Sequence, residues 1–233
     1  MATGGDRAGR AALAGLLLLL GVAGCAAPRP TTGAAPDALA AVEARLLATP
    51  TARTDYAITA RGAFTADLTG TLGLGVRGRL FLTADGHFGE AEYARRLIAD
   101  AERMQALEVD ALLFEQPPPP ALREAVVIGL TRMGLLHNLA RLVAGQPPDH
   151  AGGGAADWVT AHDVRWGTEE MVDGRIARPL HFGIRVSGTD SGAATLWLDA
   201  ETGLPVRRAQ TVRFPDGTME VEEHYGTWDL GDR

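Results

Sequence analysis

From Asp55 the chain alternates. Tyr56, Ile58, Ala60, Gly62, Phe64, Ala66 and Leu68 share one phase, and Ala57, Thr59, Arg61, Ala63, Thr65 and Asp67 the other. A period of two predicts a strand with one apolar or small face. Gly70 and Gly78 bracket a second strand carrying Leu72, Leu74 and Val76; Arg79–Thr83 reads as a third, with a turn at Ala84-Asp85-Gly86. Ahead of them, Asp37 has the character of a helix cap, and Leu39, Val42 and Leu46 place Ala38–Ala48 in a short helix. Glu90–Phe114 reads two ways. Its Ala, Glu and Arg content favours helix, whereas its position between strands and the Ala99-Asp100-Ala101-Glu102 turn signal favour a hairpin.

Four prolines at Pro117–Pro120 end that segment. Ala121–Ala144 then shows helical spacing, with Leu122, Val126, Leu130 and Met133 before Gly134 and Leu135, Leu139, Leu142 and Val143 after it. Two short helices with a bend account for the two glycines, Gly129 and Gly134. Gly145–Gly154 reads as a loop, and the last third as strands again. Val159–Trp166 leads in, and Asp173-Gly174 turns Thr168–Val172 into Arg175–Val186. Ala194–Asp199, Leu204–Phe214 and Thr218–Leu230 follow, the last two joined at Pro215-Asp216-Gly217. The predicted class is α+β, with antiparallel strands on either side of a helical insert.

The first residues change the picture. Arg7 and Arg10 precede an uncharged apolar run, Ala11–Ala23, that is too short to span a bilayer, which takes roughly 20 residues. The run ends in Val22-Ala23-Gly24-Cys25, which resembles the bacterial lipobox, where small residues precede the cysteine that receives the diacylglyceryl group. Cys25 is the sole cysteine, so disulfides and thiolate zinc sites are excluded. The expectation is a signal peptide over 1–24, a lipidated flexible tether over 25–36 and one domain over 37–233. The partner of Cys25 is membrane lipid. Ala26, in place of aspartate, resembles the pattern sorted to the outer membrane, on its periplasmic face.

Of 233 residues, 46% are hydrophobic and the formal charge is −7, which argues against a nucleic-acid partner. All 22 basic residues are arginine, so Schiff-base and phosphate-loop lysines are absent. The six histidines form no His-x-x-x-His pair, and Ser187 and Ser191 lie in no nucleophile elbow. Glu169-Glu170 and Glu222-Glu223 are neighbours that a strand would turn to opposite faces, and they read as solvated edges. No metal, no cofactor and no catalytic group is expected.

One stretch carries a family resemblance: Thr195-Leu196-Trp197-Leu198-Asp199-Ala200-Glu201-Thr202-Gly203-Leu204-Pro205-Val206-Arg207-Arg208, with Glu223-His224-Tyr225-Gly226-Thr227-Trp228 near the end. Together with the order helix, strands, helices, strands over about residues 37–230, it resembles the LolA/LolB-type lipoprotein carrier superfamily. That group includes lipid-binding mycobacterial lipoproteins and the sensor domain of an anti-sigma regulator. The resemblance implies a curled antiparallel sheet, a half-barrel, with helices covering its concave face, and strand for residues 90–114. It also implies a non-enzymatic monomer whose working part is an apolar cavity for lipid or a lipoprotein acyl chain. In this layout Phe64, Leu72, Leu74, Phe81, Leu180, Phe182, Ile184, Leu196 and Leu198 face the cavity from the sheet, and Leu130, Met133 and Leu136 from the cover. The same periodicity is compatible with a filled core, and the same fold with a sensor or protein-interaction module that transfers no lipid.

Overall fold

The computed structural model describes residues 30–143, 154–215 and 217–231. The leader and Cys25, most of the expected loop at 145–154, and Asp216 of the expected turn lie outside them.

A 3₁₀ turn, Pro30–Thr32, leads to α1, Ala35–Ala48. The helix begins three residues before the expected start. Ala34 is its cap residue, with Pro36 in the first turn, where a missing N–H costs nothing, and Asp37 lies inside the helix instead of capping it. Six strands follow in a meander: β1 (Thr51–Gly62), β2 (Ala66–Leu74), β3 (Leu80–Phe88), β4 (Ala91–Ala99), β5 (Met104–Glu108) and β6 (Ala111–Gln116). The helical insert comprises α2 (Leu122–Ile128), a π-helical turn (Gly129–Met133), α3 (Leu135–Val143) and α4 (Ala155–Trp158). The chain closes with β7 (Val159–Trp166), β8 (Glu170–Val172), β9 (Arg175–Val186), β10 (Thr189–Asp199), β11 (Pro205–Phe214), β12 (Gly217–Tyr225) and β13 (Asp229–Gly231).

All thirteen strands join one antiparallel sheet in the order β6-β5-β4-β3-β2-β1-β12-β11-β10-β9-β7, with β13 on β1 and β8 on β9. The sheet does not close on itself, and the helices cover its concave face. The class is the expected α+β curled sheet. Along β1, Ala52, Thr54, Tyr56, Ile58 and Ala60 are buried and the residues between them are exposed, as a half-covered strand requires.

Residues 90–114 are strand. Leu97, Ala99, Met104 and Ala106 are buried on one face. The turn between them is held by the Asp100 carboxylate, which accepts from the backbone N–H groups of Glu102 and Arg103 at 2.9 Å each. Those two bonds hold the Asp100 carboxyl below its usual range. Ala84-Asp85-Gly86 is not a turn: β3 runs through it and pairs with Thr69 and Leu68 of β2. Asp173 and Gly174, by contrast, do turn the β8–β9 hairpin, both with positive φ (48° and 77°) as a type I′ turn demands.

Candidate functional site

Hairpins β1–β2, β3–β4, β9–β10 and β11–β12 all lie at one end of the sheet. Here the concave face opens into an apolar cavity of about 360 Å³. Phe64, Phe88, Val186, Val212, Phe214 and Met219 line it from the sheet, and Met133, Leu136, His137 and Ala140 from the cover. Phe64 packs edge-on against Phe214 (centroids 5.7 Å) and parallel to Phe88 (6.3 Å), so its mouth has an aromatic rim. Phe64 is 50% exposed, a cost in bare apolar area that a hydrocarbon ligand would remove. His137 packs against Trp158 with ring centroids 5.3 Å apart.

Of the residues expected at the cavity, Phe64, Met133 and Leu136 line it. Leu72, Leu74, Leu130, Leu180, Phe182, Ile184, Leu196 and Leu198 share the concave side but pack into the contiguous core. Phe81 departs from the expectation. Leu80, Leu82 and Ala84 take the inner face of β3, so Phe81 is turned to the outer face, 41% exposed and opposite Ile98 of β4. The three apolar residues Leu80-Phe81-Leu82 carry no alternation of their own. The pairing of Leu80 with Leu74 and of Leu82 with Leu72 sets the phase.

Next to the cavity lies a polar pair absent from the sequence-based expectations. Arg208 of β11 and Glu223 of β12 are cross-strand partners, both fully buried, in a row otherwise made of Ile58, Leu196 and Leu180. The guanidinium donates to the carbonyls of Thr131 (3.0 Å) and Arg132 (2.8 Å) and to Gln210 Oε1 (2.6 Å). The Glu223 carboxylate accepts from the N–H groups of Leu135 and Leu136, both at 2.9 Å, and from the Tyr225 hydroxyl. A cation thus meets the end of the π-helical turn and an anion the start of α3, each where the helix partial charges favour it. Burial pushes the Arg208 guanidinium down, and the neighbouring Glu223 charge opposes that. Burial and the same carboxylate push Tyr225 well up. Between the two helical pieces Gly134 has φ +92°, and a Cβ there would sit 2.8 Å from Glu223 Oε1. Glu223 is therefore no solvated edge residue. The available signal was its phase, two residues from both Val221 and Tyr225.

The cover is stapled elsewhere as well. Glu43 of α1 receives Arg132 through Nε and Nη2 at 2.7 Å each, and the Thr131 hydroxyl at 2.8 Å. Arg132 also donates to Ala156 and Val159. Arg123 of α2 donates to the carbonyls of Leu46, Thr49, Pro50 and Gly75. Asn138, fully buried, donates through its side-chain amide to the Val126 carbonyl at 3.0 Å. Its side chain occupies the space a Cβ at Gly129 would need. Among the described residues no group of three or more His, Cys, Asp or Glu is placed to hold a metal ion. No helix among them is long and apolar enough to cross a membrane.

No family model and no curated protein matches the chain. Solved structures do. LprF from Mycobacterium bovis is similar with a TM-score of 0.45 and 9% identity, over 86% of this chain and 98% of that one. The MucA/MucB complex of Pseudomonas aeruginosa gives 0.44 and 16%, over 84% of this chain and 57% of that one. NE2245 from Nitrosomonas europaea, a LolA superfamily protein, gives 0.36 and 10%, over 86% and 95%. At these values the likeness says nothing about activity.

Proposed function

We propose that this chain is an envelope lipoprotein, anchored by acylated Cys25, that holds a lipid or lipoprotein acyl chain in the cavity rimmed by Phe64, Phe88 and Phe214 without catalysing a reaction. The observation that carries the reading is the cavity itself. It is about 360 Å³, lined almost wholly by apolar and aromatic side chains, and open at the mouth. That size is within the range of small-ligand pockets, where apolar lining supplies affinity and few polar groups fix orientation. Met133 and Met219 give two walls of it an adaptable surface. Ser191, Gln210 and Arg213 are polar members of its lining, against which a headgroup or ester would lie.

A second reading is favoured by a specific observation. Most of the concave face is filled, and the cover is tied down by Arg123, Arg132–Glu43 and Arg208–Glu223. That suits a sensor or protein-interaction module of the same fold. The two readings separate on one measurement: mass spectrometry of organic extracts from the purified domain lacking residues 1–25. Lipid at near one equivalent supports carriage. Its absence, together with no uptake from added vesicles, leaves the interaction module.

A further inference from the structure

The start of the described chain is fixed to the sheet. Arg178 of β9 donates to the Thr31 carbonyl at 2.7 Å, and Trp166 Nε1 to the Gly33 carbonyl at 2.8 Å. Thr31 is buried, and Arg178 stacks over the Trp166 ring at 4.8 Å. The expected tether therefore ends before Pro30, leaving four residues, 26–29, between Cys25 and the folded body. At ~3.5 Å per step the five steps from Cys25 to Pro30 span at most ~18 Å. Two residues from Arg178, on the same face of β9 and so ~7 Å away, is Ile176. It pairs directly with Met171 of β8. Met171 is 67% exposed and Ile176 53%, among the most exposed large apolar side chains of the described residues. The acidic residues of this hairpin turn away: Glu170 receives Trp197 Nε1 and Asp173 contacts His224 at 2.8 Å.

We infer that the β8–β9 hairpin, through Met171 and Ile176, seats the domain on the bilayer that holds its anchor, so that the cavity mouth faces away from that membrane. The inference rests on the acylation of Cys25. A tether this short brings the lipid surface within reach of the hairpin, and burying the Met171–Ile176 pair in the headgroup boundary removes its bare apolar area from water. The mouth lies at the other end of the strand. From Arg178 to Val186 is eight residues, or ~26 Å of strand. A cargo chain would then enter from the aqueous side or from a second membrane.

The test uses the full chain expressed with its leader in a bacterium. Mass spectrometry first reports whether Cys25 carries acyl groups. Once acylated, Cys25 cannot react with thiol dyes, so Met171→Cys, Phe64→Cys and Leu112→Cys each offer one labelling site at an exposed position. An environment-sensitive dye at each is read in phosphatidylethanolamine/phosphatidylglycerol vesicles carrying lipids spin-labelled near the headgroup. An interfacial group sits roughly 5–10 Å deep, so the label at 171 should lose about half its emission and the labels at 64 and 112 almost none. Quenching at 64 or 112 in place of 171, or at none of the three, in acylated protein overturns the seating and leaves the anchor standing. Unacylated Cys25 overturns both.

Discussion

Removing the charge of Glu223 while keeping its shape, Glu223→Gln, isolates the polar clamp beside the cavity. The carboxylate satisfies Leu135 N–H, Leu136 N–H and the Tyr225 hydroxyl. An amide has a single acceptor oxygen, so at least one buried backbone N–H is left facing an NH₂ group, costing about 1–3 kcal/mol. The negative charge at the start of α3 contributes up to about 2 kcal/mol more, and Arg208, fully buried, loses its compensating anion. The sum is about 3–5 kcal/mol, the range for breaking one side of a buried charge pair. For a domain of this size that lowers Tm by roughly 6–20 °C. Urea unfolding followed by tryptophan fluorescence reads the difference, with Glu222→Gln as the neighbour control. Glu222 is partly exposed and pairs with Arg207 at 2.7 Å, so its loss should cost no more than about 1 kcal/mol. Equal, small effects from the two substitutions would refute the assignment of Glu223 as the residue that fixes α3 to the sheet.

Gly134→Ala forces a side chain into the left-handed region against Glu223 and should cost more than about 1 kcal/mol in the same assay; a neutral result would mean that the break between the helices rearranges freely. Leu136→Trp fills the cavity from the cover. It should lower co-purifying or vesicle-derived lipid while leaving stability within about 1–3 kcal/mol, and undiminished lipid would place the ligand elsewhere. His224 is pulled down by burial but raised on balance by its hydrogen bonds to Asp173 and Glu222, so it ends above its usual 6.5. Its protonated form is the stabilising one. The advantage of the wild type over His224→Gln should be full below pH 6.5 and fade as pH rises through the raised value; a gap that widens with pH would contradict the sign. The effect is small, because the group is partly exposed and screened.

Much of this architecture can be read along the chain because half-covered strands must alternate and amphipathic helices must repeat. β9 and the bend at Gly134 follow directly from spacing, whereas the alternation read from Asp55 to Leu68 covers most of β1 but runs on through the turn after Gly62 into β2. Residues 90–114 did not yield to the same reading. Helix preference is set within a few residues, whereas the pairing of Leu97 with Leu82 and Ala106 is supplied by the flanking strands of the meander, which a local preference does not register. The same limit explains Phe81, whose phase is set by β2, and the strand through Ala84–Gly86, where a local turn signal gave way to pairing with Leu68. Of the site, the apolar character was legible and its extent was not. Arg208 and Glu223 defeat the rule that charge means surface, because the ends of two helix segments supply partners that no linear pattern displays.

The sheet is two meanders sewn along a single ladder. β1 lies against β12, with Tyr56 opposite Tyr225, while every other long ladder joins strands close in sequence. Neither meander can complete the barrel half alone. Until residues 217–225 are available, β1 keeps one bare edge and the row that carries Glu223 does not exist, so α3 lacks the carboxylate that receives its first N–H groups. Assembly therefore waits for the last part of the chain and should be slow, as for other folds whose decisive pairing is distant in sequence. For an exported chain, as proposed above, the same feature keeps the polypeptide unfinished, and threadable, until nearly all of it has crossed.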